Sequence, residues 1–248
     1  MAVVMKARWV AGVDGCRGGW IAVVRPVDDP GAARAQIFAT FAEILAVPEA
    51  LQMIAVDIPI GLPEIATAGG RACDVAARQV LGARRSSVFS VPARAAIWQT
   101  TYGDACRLAA QHSDPPRKIS KQIYNIFPKI REVDAVMTPG LQARVVECHP
   151  EVAFWRLNGQ MPLELPKKFR SQPSADGLAL RRELLIRAGY KSELFDGLTC
   201  RRSIAGADDL LDAMVNAAAA TDIVRGTAVR FPLAPPSDGK GLRMEIWG

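Results

Sequence analysis

The sequence lacks the paired cysteines of a disulfide framework. Its five cysteines lie far apart with no C-x-x-C pair: Cys16, Cys73, Cys106, Cys148 and Cys200. Because their odd number leaves at least one thiol outside any disulfide scheme, we expect reduced cysteines and a cytoplasmic location. The amino terminus also lacks the pattern of a signal peptide, since no small-residue cleavage site follows its short apolar stretch.

An uninterrupted hydrophobic run is missing as well. The most apolar stretch, residues 210–224, is broken by Asp212, Asn216 and Asp222, so the sequence predicts no membrane contact. Hydrophobic residues make up 50% of the 248 residues, which is enough to bury a full core. At this length one large domain is as plausible as two small ones, and we predict a single domain over residues 1–248.

Two common catalytic signatures are absent. The glycine-rich segment from Asp14 to Gly19 lacks the Lys-Ser/Thr pair of a P-loop. No G-x-S-x-G nucleophile elbow occurs, so a serine nucleophile of that type has no local signal.

Apolar runs and turn residues predict a β-β-β-α-β order at the start of the chain. The predicted strands are 8–13, 20–24, 35–40 and 53–56, with a helix over 41–51. A further strand over 143–148 and helices over 151–157, 175–188 and 207–224 follow. An antiparallel hairpin meander that continues into α-β crossovers predicts an α/β fold with a mixed central sheet flanked by helices.

Residues 60–142 form a predicted insertion that is largely helical and basic, with helical stretches near 72–81 and 95–111. The insertion holds eleven lysines and arginines against six acidic residues, so it carries most of the net charge of +6. This charge permits an anionic partner such as nucleic acid without requiring one.

Acidic residues follow the predicted strands at their carboxyl ends, where sites of α/β sheets usually lie. Asp14 and Asp57 end two such runs, and Glu147 lies near the end of a third. Carboxylates about 4 Å apart repel by about 4 kcal/mol at an effective dielectric near 20, so protons or a hard cation must neutralise them. A turn role for the two aspartates, and a solvent-facing role for Glu147, remain alternatives.

The last helix adds a polar stripe, because Asp209, Asp212 and Asn216 are spaced i, i+3, i+7 on an otherwise apolar helix. We expect this stripe to face a site. Asp208 is expected to cap the helix, and capping is the alternative for Asp209, whereas Asp212 lies too far inside the helix to cap it.

Several ordered motifs together resemble the family called domain of unknown function 429, over roughly residues 8–225. They are the segments 12–20, 55–63, 120–122, 128–134, 147–151 and 208–213. This family is described as predicted nucleases of ribonuclease H-like fold, so the resemblance implies a ribonuclease H-like three-layer fold.

The resemblance further implies metal ligands at Asp14, Asp57, Asp209 and Asp212. It implies a metal-dependent nuclease in which Mg²⁺ or Mn²⁺ ions promote hydrolysis of phosphodiester bonds in DNA or RNA. Resolvases of this fold favour glutamate where this chain has Asp57, whose side chain is one methylene shorter. Because the shorter side chain would shift one metal ion, whether the site holds one ion or two remains open. Glu147 is an additional catalytic candidate, either as an extra ligand or in place of one of the pair on the last helix.

Basic residues are candidate phosphate contacts, with an ordinary solvated surface as the alternative for each: Arg17, Arg84, Arg85, Lys121, Lys129, Arg131 and Lys167. Tyr124 and Phe127 would supply rings for base stacking. His149 is a candidate general base or outer ligand, or a structural cap.

Two other functions compete with a nuclease. The Asp-Gly-x-x-Gly-Gly segment resembles the phosphate-holding turn of actin-like and sugar kinases, which suggests an ATP-dependent phosphotransferase, although those enzymes use two copies of the fold. A non-catalytic module that binds nucleic acid or protein is the other. The oligomeric state stays open, a homodimer included.

Overall fold

A computed structural model describes residues 7–169, 172–196 and 204–248 of the chain. The chain separates into two compact units. The first comprises Met1–Asp57 and Leu165–Ala228, and the second comprises Ile58–Glu164 and Val229–Gly248. The second unit begins where the insertion was predicted to begin, but it continues past residue 142 and includes the carboxyl-terminal residues. That the chain acts as one domain remains a prediction.

The described strands are short except for the first two. They are β1 (Trp9–Cys16), β2 (Gly19–Pro26), β3 (Arg34–Phe38), β4 (Met53–Val56), β5 (Ala66–Thr67), β6 (Ser113–Asp114), β7 (Val145–Glu147), β8 (Lys168–Phe169), β9 (Gln172–Pro173), β10 (Arg230–Phe231) and β11 (Ile246–Trp247). The described α-helices are α1 (Phe41–Leu45), α2 (Ala72–Val80), α3 (Arg94–Ile97), α4 (Tyr102–Gln111), α5 (Lys121–Asn125), α6 (Phe127–Val136), α7 (Pro150–Leu157), α8 (Ala175–Arg187), α9 (Glu193–Asp196) and α10 (Ala207–Arg225).

The first unit contains a mixed sheet in the order β3-β2-β1-β4. β1, β2 and β3 form an antiparallel meander, and β1 pairs with β4 in parallel. Residues 10–14 of β1 are all buried, as are residues 20–25 of β2. Strands that are buried at successive positions have cover on both faces. The mixed sheet with flanking helices confirms the expected α/β class and is consistent with the ribonuclease H-like three-layer arrangement.

Helix α10 is the main helix that packs on this sheet, against β1, β2 and β4. It begins after Gly206 and ends at Gly226, whose φ of 71° is the left-handed conformation typical of a glycine that ends a helix. At Gly12 of β1 the strand and the helix touch backbone to backbone, because a Cβ there would overlap the main chain of Ala213 and Ala217. This close approach brings the polar positions of α10 to the end of β1.

Helices α2 to α7 are the main regular elements of the second unit. In one core cluster Cys73 and Ala77 of α2 and Leu81 at its C-cap, spaced i, i+4, i+8, pack with residues of α7 and β11. The helical stretch predicted over 95–111 is interrupted, since Thr101 caps a separate α4 by accepting a hydrogen bond from the backbone N–H of Asp104. Within the described ranges, no helix combines the length and the hydropathy that a membrane span requires.

Candidate metal centre

Asp14 and Asp57 lie side by side because of the parallel register of β1 and β4. Val13 pairs with Val56, so the next residue of each strand is an aspartate. The backbone N–H of Asp57 donates to the carbonyl of Val13 at 3.0 Å, which continues the pairing one position further. Two acidic residues that end adjacent parallel strands therefore meet at the same edge of the sheet, as the sequence predicted.

Asp212 of α10 completes a group of three carboxylates. One oxygen from each of Asp14, Asp57 and Asp212 lies within 4.8 Å of the other two. Asp14 and Asp212 are 9% and 2% exposed, whereas Asp57 is half-buried. We call these three residues the acidic centre. Carboxylate oxygens in such a cluster are the donors that Mg²⁺ and Mn²⁺ prefer, so the residues present fit a hard divalent cation.

The carboxylates of the acidic centre repel one another. Burial raises the pKa of Asp14 well above its usual value, and the charges of Asp57 and Asp212 raise it further. The backbone N–H of Gly15 donates to Asp14 Oδ1 at 2.7 Å, which fixes the orientation of this carboxylate. A proton or a bound cation would relieve the repulsion.

Lys167 contacts the acidic centre directly. Its Nζ forms an ion pair with Asp212 Oδ2. Burial lowers the pKa of Lys167, but the nearby carboxylates of Asp212 and Asp14 raise it by more, so the net shift is upward. The sequence identified Lys167 only as a candidate phosphate contact, because its approach to α10 depends on tertiary structure.

Asn216 lies one helical turn beyond Asp212 and binds the same strand end. Its Nδ2 donates to the carbonyl of Val13 at 3.1 Å, and the side chain is fully buried. Among the described residues, its Oδ1 accepts no hydrogen bond. The helical spacing that predicted a polar stripe therefore also identified Asn216, whose hydrogen bond connects α10 to β1.

Asp209, the third residue of the predicted stripe, has a capping contact instead of a place in the group of three. Its Oδ2 accepts a hydrogen bond from the backbone N–H of Gly206 at 2.9 Å. Burial raises its pKa, and its charge in turn contributes to the raised pKa of Asp14. Gly206 is the N-cap residue, so the expectation that Asp208 caps the helix is wrong. Asp208 pairs with Lys168 at 2.6 Å.

Glu147 belongs to the second unit, where it pairs with Arg71. Nη2 of Arg71 lies 2.5 Å from Glu147 Oε1 and 2.8 Å from Asp74 Oδ1. We call Arg71, Asp74 and Glu147 the arginine cluster. Burial raises the pKa of Glu147 to about 7, an effect that Arg71 opposes. Sequence reasoning missed Arg71, because nothing local marks a partner 76 residues away.

His149 is the N-cap of α7, in agreement with the structural alternative. Its Nδ1 accepts a hydrogen bond from the backbone N–H of Glu151 at 3.2 Å. Nε2 lies 3.3 Å from the carbonyl oxygen of Ser87.

The predicted phosphate contacts are spread over both units. Arg17 is exposed in the turn between β1 and β2 of the first unit. In the second unit, Arg85 and Lys121 are exposed, and Arg84, Lys129 and Arg131 are half-buried.

Two of the second-unit residues make structural contacts. Arg131 Nη1 donates to the carbonyl of Gln99 at 3.0 Å, and Lys121 Nζ lies 5.9 Å from the ring centroid of Tyr102. Phe127 is fully buried, so its predicted role as a stacking surface is wrong. It shares the buried face of α6 with Ile130 and Val133.

The comparisons with known proteins give a family but no characterised relative. The model of the family described as "Protein of unknown function (DUF429)" matches residues 12–237, which includes every residue of the acidic centre. No curated protein and no solved structure matches the chain significantly. Because the match covers most of the sequence, the chain belongs to the DUF429 family.

Proposed function

We propose that this protein is a Mg²⁺- or Mn²⁺-dependent nuclease that hydrolyses phosphodiester bonds in DNA or RNA. The observation that carries the proposal is the convergence of Asp14, Asp57 and Asp212, whose oxygens approach within 4.8 Å at one end of the sheet. A bound divalent cation makes water more acidic and stabilises negative charge on phosphate oxygens.

The roles of the residues follow from their positions. Asp14 and Asp212 are buried and anchored, which suits ligands that must keep a fixed spacing, while the half-buried Asp57 leaves the centre accessible. In hydrolysis the water oxygen bonds to phosphorus, the bond to the leaving oxygen breaks, and the leaving oxygen takes up a proton. Arg17, exposed three residues after Asp14, is suited to bind a neighbouring phosphate of the substrate.

The phosphotransferase alternative has less support. A phosphate-holding turn offers its backbone N–H groups to the nucleotide. Here the N–H of Gly15 donates to Asp14, and the N–H of Gly18 donates to the carbonyl of Ile204 at 2.9 Å. Stabilisation of the chain against heating by ATP would favour this alternative.

The experiment compares cleavage of labelled branched, single-stranded and RNA–DNA hybrid substrates with Mg²⁺ or Mn²⁺. We expect metal-dependent cleavage that falls at least about a hundredfold in Asp57→Asn, since a ligand carboxylate contributes several kcal/mol to the charged transition state. Asp208→Asn is the matched control, because this carboxylate lies on α10, the helix that carries Asp212, but is outside the acidic centre and pairs with Lys168.

Undiminished cleavage in Asp57→Asn would contradict the assignment of the site. Binding of Mn²⁺ and nucleic acid without cleavage of any substrate would favour the non-catalytic binding module instead.

A further inference from the structure

A positively charged side chain already lies against the acidic centre. The ammonium of Lys167 pairs with Asp212 Oδ2 and also interacts electrostatically with Asp14 and Asp57. The side chain is 27% exposed, so water screens these interactions only in part. In a metal centre such a group counts as one of the cations.

The backbone that carries Lys167 is held in place on both sides. The carbonyl of Leu165 accepts a hydrogen bond from Arg181 Nη1 at 3.0 Å, and the carbonyl of Lys167 accepts one from the backbone N–H of Ser174 at 2.9 Å. Between them, Pro166 packs so closely on α8 that a Cβ at Gly177 would overlap its carbonyl oxygen. The backbone of Lys167 is therefore positioned by the fold, so its side chain starts from a fixed point beside the acidic centre.

The adjacent Lys168 provides an internal comparison. Its Nζ lies 2.6 Å from Asp208 Oδ2, and its side chain is 47% exposed. Asp208 is outside the group of three carboxylates that approach within 4.8 Å. Two neighbouring lysines thus pair with the same helix, but only Lys167 reaches the acidic centre.

Counting charges gives the number of divalent cations that the centre accepts. The three carboxylates of the acidic centre and one ammonium leave two negative charges in excess, which one divalent cation neutralises. Asp209 lies outside this group, and Lys168 and Lys167 offset its charge in part. A second divalent cation would leave the centre with two excess positive charges, and close like charges are costly in a partly buried site.

We propose that the acidic centre binds a single divalent cation and that Lys167 supplies the positive charge that two-metal nucleases take from a second ion. This inference rests on the proposed metal centre and specifies its occupancy. Asp212 has two carboxylate oxygens, so it is able to pair with Lys167 through Oδ2 and to ligate the cation through the other. A phosphate that binds the cation would then face the ammonium as well.

The test counts Mn²⁺ ions on the full chain by equilibrium dialysis with elemental analysis, and measures affinity by the loss of the free Mn²⁺ electron paramagnetic resonance signal. We expect one Mn²⁺ per wild-type chain. Removal of the repelling charge in Lys167→Met should tighten Mn²⁺ binding at least about tenfold. Lys167→Arg, which keeps the charge, and Lys168→Met, which changes a lysine outside the centre, should stay within about threefold of the wild type.

The outcomes separate this inference from the proposal on which it rests. Two Mn²⁺ per wild-type chain would overturn the role of Lys167, and this count does not depend on whether a variant folds. Mn²⁺ binding that is unchanged or weaker in Lys167→Met would overturn it as well. Absence of Mn²⁺ binding in every chain would overturn the metal centre itself. One Mn²⁺ per chain with the expected variant affinities, but without nucleic-acid cleavage, would support this inference and contradict only the nuclease.

Discussion

The two units of the protein each contain a cluster of buried carboxylates, and the clusters are neutralised in different ways. In the arginine cluster, Arg71 donates hydrogen bonds to both Asp74 and Glu147. Backbone N–H groups supply further donors, among them that of Ile60 to Glu147 Oε2 at 2.7 Å. In the acidic centre, three carboxylates share one ammonium, which pairs directly with Asp212.

The difference lies in geometry and exposure as much as in charge. A guanidinium presents several N–H donors in a rigid plane, so it is able to bind two carboxylates at once, whereas an ammonium acts as a point charge. Arg71 and Asp74 have side chains that are each 1% exposed, while Asp57 of the acidic centre is half-buried. The arginine cluster is therefore a buried network of ion pairs, whereas the acidic centre is partly exposed and could hold a cation.

The largest predicted effect concerns the arginine cluster. Arg71→Met removes the side-chain cation that pairs with both Asp74 and Glu147. It should lower the free energy of unfolding by about 3–5 kcal/mol, because two buried carboxylates lose their counter-charge. Urea denaturation followed by circular dichroism measures this change. A loss below about 1 kcal/mol would mean that the ion pairs of the arginine cluster do not stabilise the fold as proposed.

Added Mn²⁺ should stabilise the protein through the acidic centre alone. At a free concentration about a hundred times the dissociation constant, Mn²⁺ should raise the free energy of unfolding by about 2.7 kcal/mol, and a chelator should reverse the effect. Asp57→Asn should lose this increment. Glu147→Gln should show the same increment when its free energy of unfolding with Mn²⁺ is compared with its own value without Mn²⁺. Loss of the increment in Glu147→Gln would instead make Glu147 a ligand, as one sequence-based prediction has it.

The raised pKa of Asp14 predicts a pH dependence in the metal-free protein. The folded state holds the proton of Asp14 more tightly than the unfolded state, so the free energy of unfolding should fall as the pH rises above about 4 and through the folded-state pKa. Asp14→Asn removes this part of the dependence. At pH 7 the variant should therefore be more stable than the metal-free wild type.

Denaturation curves of the two metal-free proteins between pH 4 and pH 8 test this prediction. A less stable Asp14→Asn at neutral pH would show that the acidic centre carries no unrelieved repulsion.

The smallest predicted effect is that of Lys168. Because its ion pair with Asp208 is half exposed, Lys168→Met should change the free energy of unfolding by less than about 1 kcal/mol. The same urea titration measures it, with Arg71→Met as the contrasting variant. A loss as large as that of Arg71→Met would remove the distinction between exposed and closed ion pairs on which the comparison depends.

The positions of Asp14 and Asp57 were predictable from sequence because parallel strands bring their carboxyl ends to one edge. The stripe on α10 was predictable from helical periodicity, which placed Asp212 and Asn216 at the site. Periodicity gives the side of a helix and not the depth along its axis, so it did not separate Asp212 from Asp209. The latter lies in the first turn, where an unsatisfied backbone N–H competes for its carboxylate.

Pairings between distant residues were not predictable in this way. Glu147 sits on a strand, as expected, yet its partner Arg71 is 76 residues away and carries no local signal. Lys167 was identified by charge alone, whereas the packing of Pro166 on Gly177 and the hydrogen bonds to Leu165 and Lys167 place it beside the carboxylates. Phe127 was assigned to the surface by its basic neighbours, whereas its spacing with Ile130 and Val133 already indicated a buried face.

The absence of a side chain at Gly12 has a consequence for how the carboxylates keep their spacing. At this residue the main chain of β1 meets the main chain of α10, so no side-chain volume enters the separation between strand and helix. The span from Asp14 to Asp212 is thereby set by peptide atoms, whose dimensions do not change from one sequence to another. Any side chain at residue 12 would push α10 away from β1 and so change the spacing of these two carboxylates.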